Sequence, residues 1–220
     1  MGCGAAVPVK ASAEINLIEC AEPQLSLFGN GKYVVPSGKN AILHVSRKLW
    51  YSCKEYAPGW FKIRNRNDNS KELFACQGGN PKNRTMYEAD TRTPIFIIQD
   101  TEQTCVQTIS SVRADSKELF KVRQGSSYKT STEGLKSPSS SWTDELNGHV
   151  YIGNDFREGA IYFGSPENGK AIAKVWPHMP YKKYYVCNDQ DFFIEIVPGV
   201  DMALILAMIL PFGEDRIDVS

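Results

Sequence analysis

The sequence predicts a mainly β protein, a closed antiparallel barrel of about twelve strands around a buried hydrophobic C-terminal helix. Two observations lead to this prediction. Short runs of β-branched, aromatic and alternating residues recur roughly every ten residues along most of the chain. One segment, MALILAMILPF at residues 202–212, contains no charge and no side chain that forms hydrogen bonds. A helix that is apolar on every side must be buried on every side, so we expect the strands to enclose it.

The predicted strands are short segments that combine β-branched and aromatic residues with an alternating pattern. Turn-forming sequences such as GNGK, PSGKN and SPENGK separate them. The segments are KYVV at 32–35, AILHV at 41–45, WFKIR at 60–64, LFAC at 73–76, PIFIIQ at 94–99, TCVQTI at 104–109, LFKVR at 119–123, HVYIG at 149–153, AIYFG at 160–164, AIAKVW at 171–176, YYVC at 184–187 and FFIEIV at 192–197.

The apolar segment is too short to span a membrane. Its eleven residues would rise about 16 Å as a helix, whereas the hydrocarbon core of a bilayer is about 30 Å thick. Pro198 and Gly199 before it, and Gly213 after it, oppose a longer helix. Asp201 is placed to cap the first turn. The predicted core residues of the helix are Met202, Leu204, Ile205, Leu206, Met208 and Ile209.

Composition is that of a soluble globular protein and gives no reason to expect a nucleic-acid partner. Lys plus Arg and Asp plus Glu both number 25, whereas binding to phosphates needs a surplus of cations. The six cysteines form no CxxC pair and are predicted to be reduced and mostly buried. GNGKYVVPSGKN lacks the spacing of a phosphate-binding loop, and no nucleophile motif accompanies the three histidines. We therefore expect a protein that is not an enzyme and has no cofactor or metal.

The first residues, MGCGA, predict a lipid anchor. Gly2 matches the start of a myristoylation signal and Cys3 is suited to palmitoylation, although Ala6 stands where the signal has Ser or Thr. Two acyl chains hold a protein on a bilayer stably, whereas one holds it only marginally. The alternative is a disordered terminus with an incidental glycine. Residues 1–21 are predicted as a flexible segment that carries the acyl chains if the signal is used, and residues 22–220 as the barrel domain.

Two polar stretches interrupt the strand pattern. Residues 124–145 are rich in Ser, Thr, Lys and Gly and have too little apolar surface to offset the entropy of ordering, which predicts a mobile loop. KVWPHMPYKKYYV at 174–186 interleaves cations with aromatic rings, a mixture that suits lipid headgroups. Trp176, His178, Lys182 and Lys183 are therefore candidates for contact with a headgroup or a protein partner. The alternative is an ordinary hairpin loop.

The segment FFIEIVPGVDMALILAMIL at 192–210 resembles the C-terminal end of LURP-one-related proteins, whose relatives are the tubby carboxyl-terminal domain and the phospholipid scramblases. Those proteins end with a strand, a Pro-Gly-Val-Asp-like turn and an apolar helix. WFKIR, PIFIIQD and AIAKVW extend the resemblance over roughly residues 22–215. It implies a closed barrel around a central helix. The basic residues with which tubby domains bind phosphoinositides are not matched here, and the chain lacks the spacing of a calcium-binding loop.

These observations predict a non-enzymatic module on the cytoplasmic face of a membrane, attached through N-terminal acyl chains. Its expected ligand is a phospholipid headgroup, such as that of a phosphoinositide, or a protein partner in signalling or defence. The alternative from the same resemblance is a scramblase-like, lipid-active membrane protein.

Overall fold

The computed structural model describes residues 15–19, 26–48, 60–68, 71–80, 83–101, 106–112, 117–124, 129–135, 146–152, 157–164, 169–177 and 192–212. The strands are β1 (Ala41–Lys48), β2 (Trp60–Asn65), β3 (Lys71–Asn80), β4 (Asn83–Glu88), β5 (Pro94–Asp100), β6 (Val106–Ser111), β7 (Glu118–Gln124), β8 (Lys129–Glu133), β9 (Leu146–Ile152), β10 (Arg157–Phe163), β11 (Lys170–Pro177) and β12 (Phe192–Ile196). Helix α1 spans Met202–Ile209 and continues as a 3-10 turn over Leu210–Phe212. The predicted mainly β antiparallel fold with an apolar C-terminal helix is confirmed.

The strands pair in the order in which they follow one another along the chain. Each pairs antiparallel with the strand before it and the strand after it. β1 also pairs with β12, through residues 41–45 opposite residues 196–192, so the pairings form a closed ring. In a ring every strand has two neighbours, and no backbone edge is left open along the described strands.

The apolar core lies inside this ring. In β5, Phe96 and Ile98 are buried while their neighbours are partly exposed, as expected for a strand with one face inward. Side chains from β1 to β7 and from β10 to β12 join one cluster with the helix. Residues 203–209 are buried completely, whereas Met202 is only partly buried at the start of the helix. The helix therefore lies along the interior of the ring.

Among the described residues, no helix combines the length and apolarity that crossing a membrane would require. Cys76 on β3 is buried, as expected for a cysteine of the core. The other five cysteines lie outside the described residues.

Several predicted boundaries differ from the structure. KYVV at 32–35 forms no strand, and only Val34 makes an isolated bridge, to Asp201. YYVC at 184–187 lies outside the described residues. Strands β4 and β8 were not predicted, because NRTMYE and KTSTE are mostly polar. Residues 15–19, assigned to the flexible segment, lie against the ring, where Ile15 is buried and the Ile18 N–H donates to the Ala171 carbonyl.

The prediction of a mobile loop over 124–145 is wrong for residues 129–133. These residues form β8, which pairs with β7 on one side and β9 on the other. A strand with two partners is held by backbone hydrogen bonds on both edges, so it needs few apolar side chains. Thr132 is nevertheless 1% exposed, and its β-branched side chain suits a strand.

Candidate functional site

Of the residues predicted to contact a headgroup or partner, Trp176 lies within the described part of the chain, near the end of β11. His178, Lys182 and Lys183 lie outside it, as do Gly2 and Cys3. The environment of Trp176 therefore defines the candidate site.

Trp176 belongs to a row of side chains that crosses four strands. The register places Trp176 opposite Phe193 on β12, and Phe193 opposite His44 on β1. His44 in turn lies opposite Arg64 on β2. The residues on either side of Phe193 belong to the core cluster. Because side chains alternate along a strand, Phe193 and its row face the outside of the ring.

Phe193 is the centre of the contacts in this row. Its ring centroid lies 5.6 Å from that of Trp176 and 4.9 Å from that of His44, with both pairs tilted. The guanidinium carbon of Arg66, just beyond β2, lies 5.1 Å from the centroid of the Phe193 ring. Both arrangements are attractive, the first between offset rings and the second between a cation and a π-face. Together these neighbours leave Phe193 only 7% exposed.

Lys174 extends the site along β11. Its ammonium nitrogen lies 2.9 Å from Glu195 Oε2 and 5.7 Å from the centroid of the Trp176 ring. The other oxygen of Glu195 accepts a hydrogen bond from the side-chain amide of Asn40 at 2.8 Å. Glu195 is thus held from two sides and in turn fixes the Lys174 ammonium beside the indole. We call the following residues the aromatic–basic surface: His44, Arg64, Arg66, Lys174, Trp176 and Phe193.

The aromatic–basic surface carries more cations than carboxylates, although the whole chain has a formal net charge of zero. Lys62 also faces outward from β2, but it is paired with Glu72 of β3 at 3.3 Å. Lys174 is paired with Glu195. Within the described ranges no carboxylate forms an ion pair with Arg64 or Arg66. Among the described residues, no carboxylate neutralises these two guanidinium groups.

A second group of polar side chains lies where α1 begins. Asp201 is completely buried. Its carboxylate accepts hydrogen bonds from the N–H groups of Ala203 and Leu204 in the helix and of Leu27 and Phe28 far along the chain. Burial raises the pKa of Asp201, and the four N–H donors oppose that rise. The predicted N-cap is thus present and also joins the helix to residues 27–28.

Backbone hydrogen bonds extend the same junction. The Val35 N–H donates to the Val200 carbonyl, and the Gly199 N–H donates to the Val35 carbonyl, both at 2.9 Å. The Met202 N–H donates to the Tyr33 carbonyl at 2.9 Å. We call residues 27–35 the end loop, because they cover the end of the ring at which the helix begins.

Glu88, at the end of β4, fastens the end loop to the ring. One carboxylate oxygen accepts hydrogen bonds from the Lys32 ammonium and the Tyr33 hydroxyl, and the other accepts one from Thr91 at 2.7 Å. The bonds from Lys32, Tyr33 and Thr91, in that order, lower the pKa of Glu88 to about 2. Burial, and then Glu88, raise the pKa of Tyr33. Because the Glu88 carboxylate accepts three hydrogen bonds, it is a poor proton acceptor near neutral pH. This cluster is therefore a structural contact.

Arg84 stabilises the opposite end of the helix. The side chain is 1% exposed. Its guanidinium donates to the carbonyls of Leu210 at 3.3 Å and Pro211 at 2.8 Å, and to the Gln107 side chain at 2.9 Å. The carbonyls at the end of a helix lack partners within the helix and carry partial negative charge, which a guanidinium satisfies. The position of Arg84 on a polar strand gave no sign of this role.

In the ranges that the structure describes, His, Cys, Asp and Glu side chains form no group of three or more that could hold a metal ion.

The sequence pattern identified Trp176 as a site residue but did not identify Arg64, Arg66 or Phe193. The period-two spacing of the basic residues in KIRNR was the one signal that Arg64, on β2, and Arg66, just beyond it, could lie on the same side. Nothing in the sequence indicated that β12 would lie two strands away.

Comparison with known proteins agrees with the fold. A family model described as LURP-one-related matches residues 42–212. The X-ray structure of a protein from Arabidopsis thaliana is similar, with a TM-score of 0.50 and 15% sequence identity. The similarity covers 81% of this chain and 91% of the Arabidopsis chain, and at this identity it supports the fold alone. No curated protein matches the chain.

Proposed function

We propose that this chain, which belongs to the LURP-one-related family, is a non-enzymatic binding module that works on the cytoplasmic face of a membrane. Acyl chains on Gly2 and Cys3 attach it, and the aromatic–basic surface contacts phospholipid headgroups or a protein partner in signalling or defence. The observation that carries the proposal is the outward row of Trp176, Phe193, His44 and Arg64 across four adjacent strands.

The chemistry of this row suits a headgroup layer. Aromatic rings with a polar edge and long cationic side chains are both favoured where water meets lipid. Arginine binds phosphate through two parallel N–H donors, so a phosphate-bearing surface is a natural ligand for Arg64 and Arg66. The same residue types are also enriched at the centres of protein interfaces, which is why a protein partner belongs to the proposal.

The filled interior supports a role for the outer surface. Helix α1 and its apolar cluster occupy the inside of the ring, and residues 203–209 are buried. Interiors packed by side chains leave little room for a ligand. The packing of the described side chains around α1 supports a binding site on the outside of the ring. The same burial favours a binding module over the scramblase-like alternative, because α1 is already surrounded by protein.

The attachment is tested by fractionating cells that express the full chain. We expect wild type in the membrane fraction and Gly2→Ala in the soluble fraction, because the myristoyl chain cannot be added without Gly2. Cys3→Ser should give intermediate partitioning, since one chain binds only marginally. The matched control is Gly4→Ala, which makes the same change two residues later. A Gly2→Ala protein that stays with the membrane rules out the anchor.

Alkaline carbonate extraction separates the proposal from the scramblase-like alternative. A protein held by acyl chains without an inserted helix should be released far more readily after Gly2→Ala. Retention of Gly2→Ala in the carbonate-resistant pellet would favour the alternative. A lipid overlay and a pull-down, each comparing wild type with Lys182→Ala/Lys183→Ala, distinguish a headgroup from a protein partner.

A further inference from the structure

We propose that one wall of the ring lies against an anionic phospholipid surface, with Arg64 and Arg66 contacting the headgroup phosphates. We call the outer faces of β10, β11, β12, β1 and β2 the docking wall. The inference depends on the proposed membrane attachment. It adds which side of the protein faces the bilayer and which residues meet the phosphates.

The N-terminal part of the chain is fastened to this wall. Ile15 is 7% exposed and packs against Ala160 of β10 and Ala171 of β11. Leu17 and Tyr162 complete this small apolar cluster, and the Ile18 N–H donates to the Ala171 carbonyl at 2.9 Å. Ala160 and Tyr162 flank the inward-facing Ile161, so the cluster lies outside the ring. We call residues 15–19 the N-terminal strap.

The strap limits how the acyl chains can be placed. Cys3 precedes Ile15 by twelve residues, which span at most about 40 Å when fully extended. Strand spacing and tilt give a ring of twelve strands a half-circumference of roughly 35–40 Å at the backbone. The path over the side chains is longer still. If the wall opposite the strap, around β4 and β5, faced the bilayer, the chain would have to be almost fully extended, at a high cost in entropy. Docking through the wall that carries the strap avoids this cost.

The charges distinguish the docking wall from another wall of the ring, the one around β7. β7 lies opposite β1 in the ring, and both of its described outward cations are paired. Lys121 lies 3.8 Å from Glu118, and Arg123 pairs with Glu133. On the docking wall, Arg64 and Arg66 form no ion pair with a described carboxylate. Anionic headgroups are thus attracted more strongly to the docking wall than to the wall around β7.

The strap also presents an apolar side chain. Ile18 is 48% exposed, the one large hydrophobic side chain exposed among the described residues. An exposed apolar group on the same wall as basic residues suits a headgroup layer, into which it can partly insert. Ile18, Arg66 and Trp176 thus give the docking wall both components of membrane binding, burial of apolar surface and electrostatic attraction.

The test measures binding of the full chain, myristoylated on Gly2, to vesicles by co-sedimentation. The vesicles contain phosphatidylcholine with or without phosphatidylserine. Arg64→Gln/Arg66→Gln should weaken binding to the anionic vesicles by roughly tenfold or more, since each basic residue near such a surface contributes about 1 kcal/mol. Lys121→Gln/Arg123→Gln removes the same charge from β7 and should change binding less than twofold. Neither pair should alter the weak binding to neutral vesicles.

Two further measurements keep the result interpretable. Thermal unfolding establishes that both double variants are folded, and Arg64→Lys/Arg66→Lys, which keeps the charge, should recover most of the binding. Equal losses from the two glutamine variants, or no loss from Arg64→Gln/Arg66→Gln, would overturn the docking wall while leaving the acyl attachment intact. Failure of the attachment itself appears separately, as unchanged partitioning of Gly2→Ala in cells. Wild type that binds anionic vesicles no better than neutral ones would also overturn the docking wall.

Discussion

The carboxylate of Asp201 accepts a hydrogen bond from the backbone N–H of Phe28 at 2.8 Å, although the two residues are separated by 173 positions in the chain. The same carboxylate caps α1 through Ala203 and Leu204. One buried side chain therefore satisfies the start of the central helix and holds the end loop across the end of the ring. The interior helix and the N-terminal part of the domain are tied together at this point.

Asp201→Ala should destabilise the protein by about 3–5 kcal/mol. The substitution leaves four N–H groups without their acceptor, three of them in buried hydrogen bonds, and each such group costs free energy. Asp201→Asn keeps one acceptor oxygen and should cost less, about 1–3 kcal/mol. Denaturant unfolding measures both values. Asp68→Asn, in an exposed turn after β2, serves as the control and should stay within about 0.5 kcal/mol of wild type. Similar unfolding midpoints for Asp201→Ala and wild type would contradict this role.

Glu88 should stabilise the folded protein, and this stabilisation should be lost at acid pH. Its pKa is lowered from 4.5 to about 2 in the folded protein, mainly by the hydrogen bond from Lys32. The folded state therefore favours the ionised form, and the contribution is complete above pH 4.5. It should be lost as the pH falls from 4.5 towards 2. The measurement is the free energy of unfolding of wild type and Glu88→Gln across this range. Their difference should shrink on acidification, and a constant difference would show that ionised Glu88 does not stabilise the contact between the end loop and the ring.

Arg84→Met should destabilise the protein by about 2–4 kcal/mol, because the carbonyls of Leu210 and Pro211 lose their buried donor. Methionine matches the length of the aliphatic stem of arginine, so most of the packing along that stem is kept. Arg123→Met removes an exposed arginine that is paired with Glu133 and should cost less than about 1 kcal/mol. Equal effects of the two substitutions on the unfolding midpoint would show that Arg84 does not stabilise the end of the helix.

Glu195→Gln should strengthen binding to anionic vesicles. The substitution removes the carboxylate that pairs with Lys174 and leaves that ammonium beside Trp176 for a headgroup. We expect a gain of roughly two- to fivefold, the effect of about one added charge near an anionic surface. Glu133→Gln, which removes the partner of Arg123 on the opposite side, should give little change. If the two variants gain equally, overall charge rather than the aromatic–basic surface governs binding.

The buried location of the central helix could be predicted from its own residues. Leu204, Ile205 and Met208 belong to a segment apolar on every face, and water makes burial the only stable outcome for such a helix. Asp201 was predictable as its cap for a similar local reason. β8 could not be predicted, because KTSTE has no apolar alternation and becomes a strand only when β7 and β9 bond to both of its edges.

The sequence by itself determined the mainly β class, the apolar helix and its cap, because these depend on side-chain chemistry at neighbouring positions. Only the tertiary structure decided that Arg64, His44, Phe193 and Trp176 form one row, since the register between β2, β1, β12 and β11 sets their contacts. It also decided that the N-terminal strap lies on the same wall. These contacts depend on the closure of the ring, because closure brings residues that are distant in the chain onto one surface.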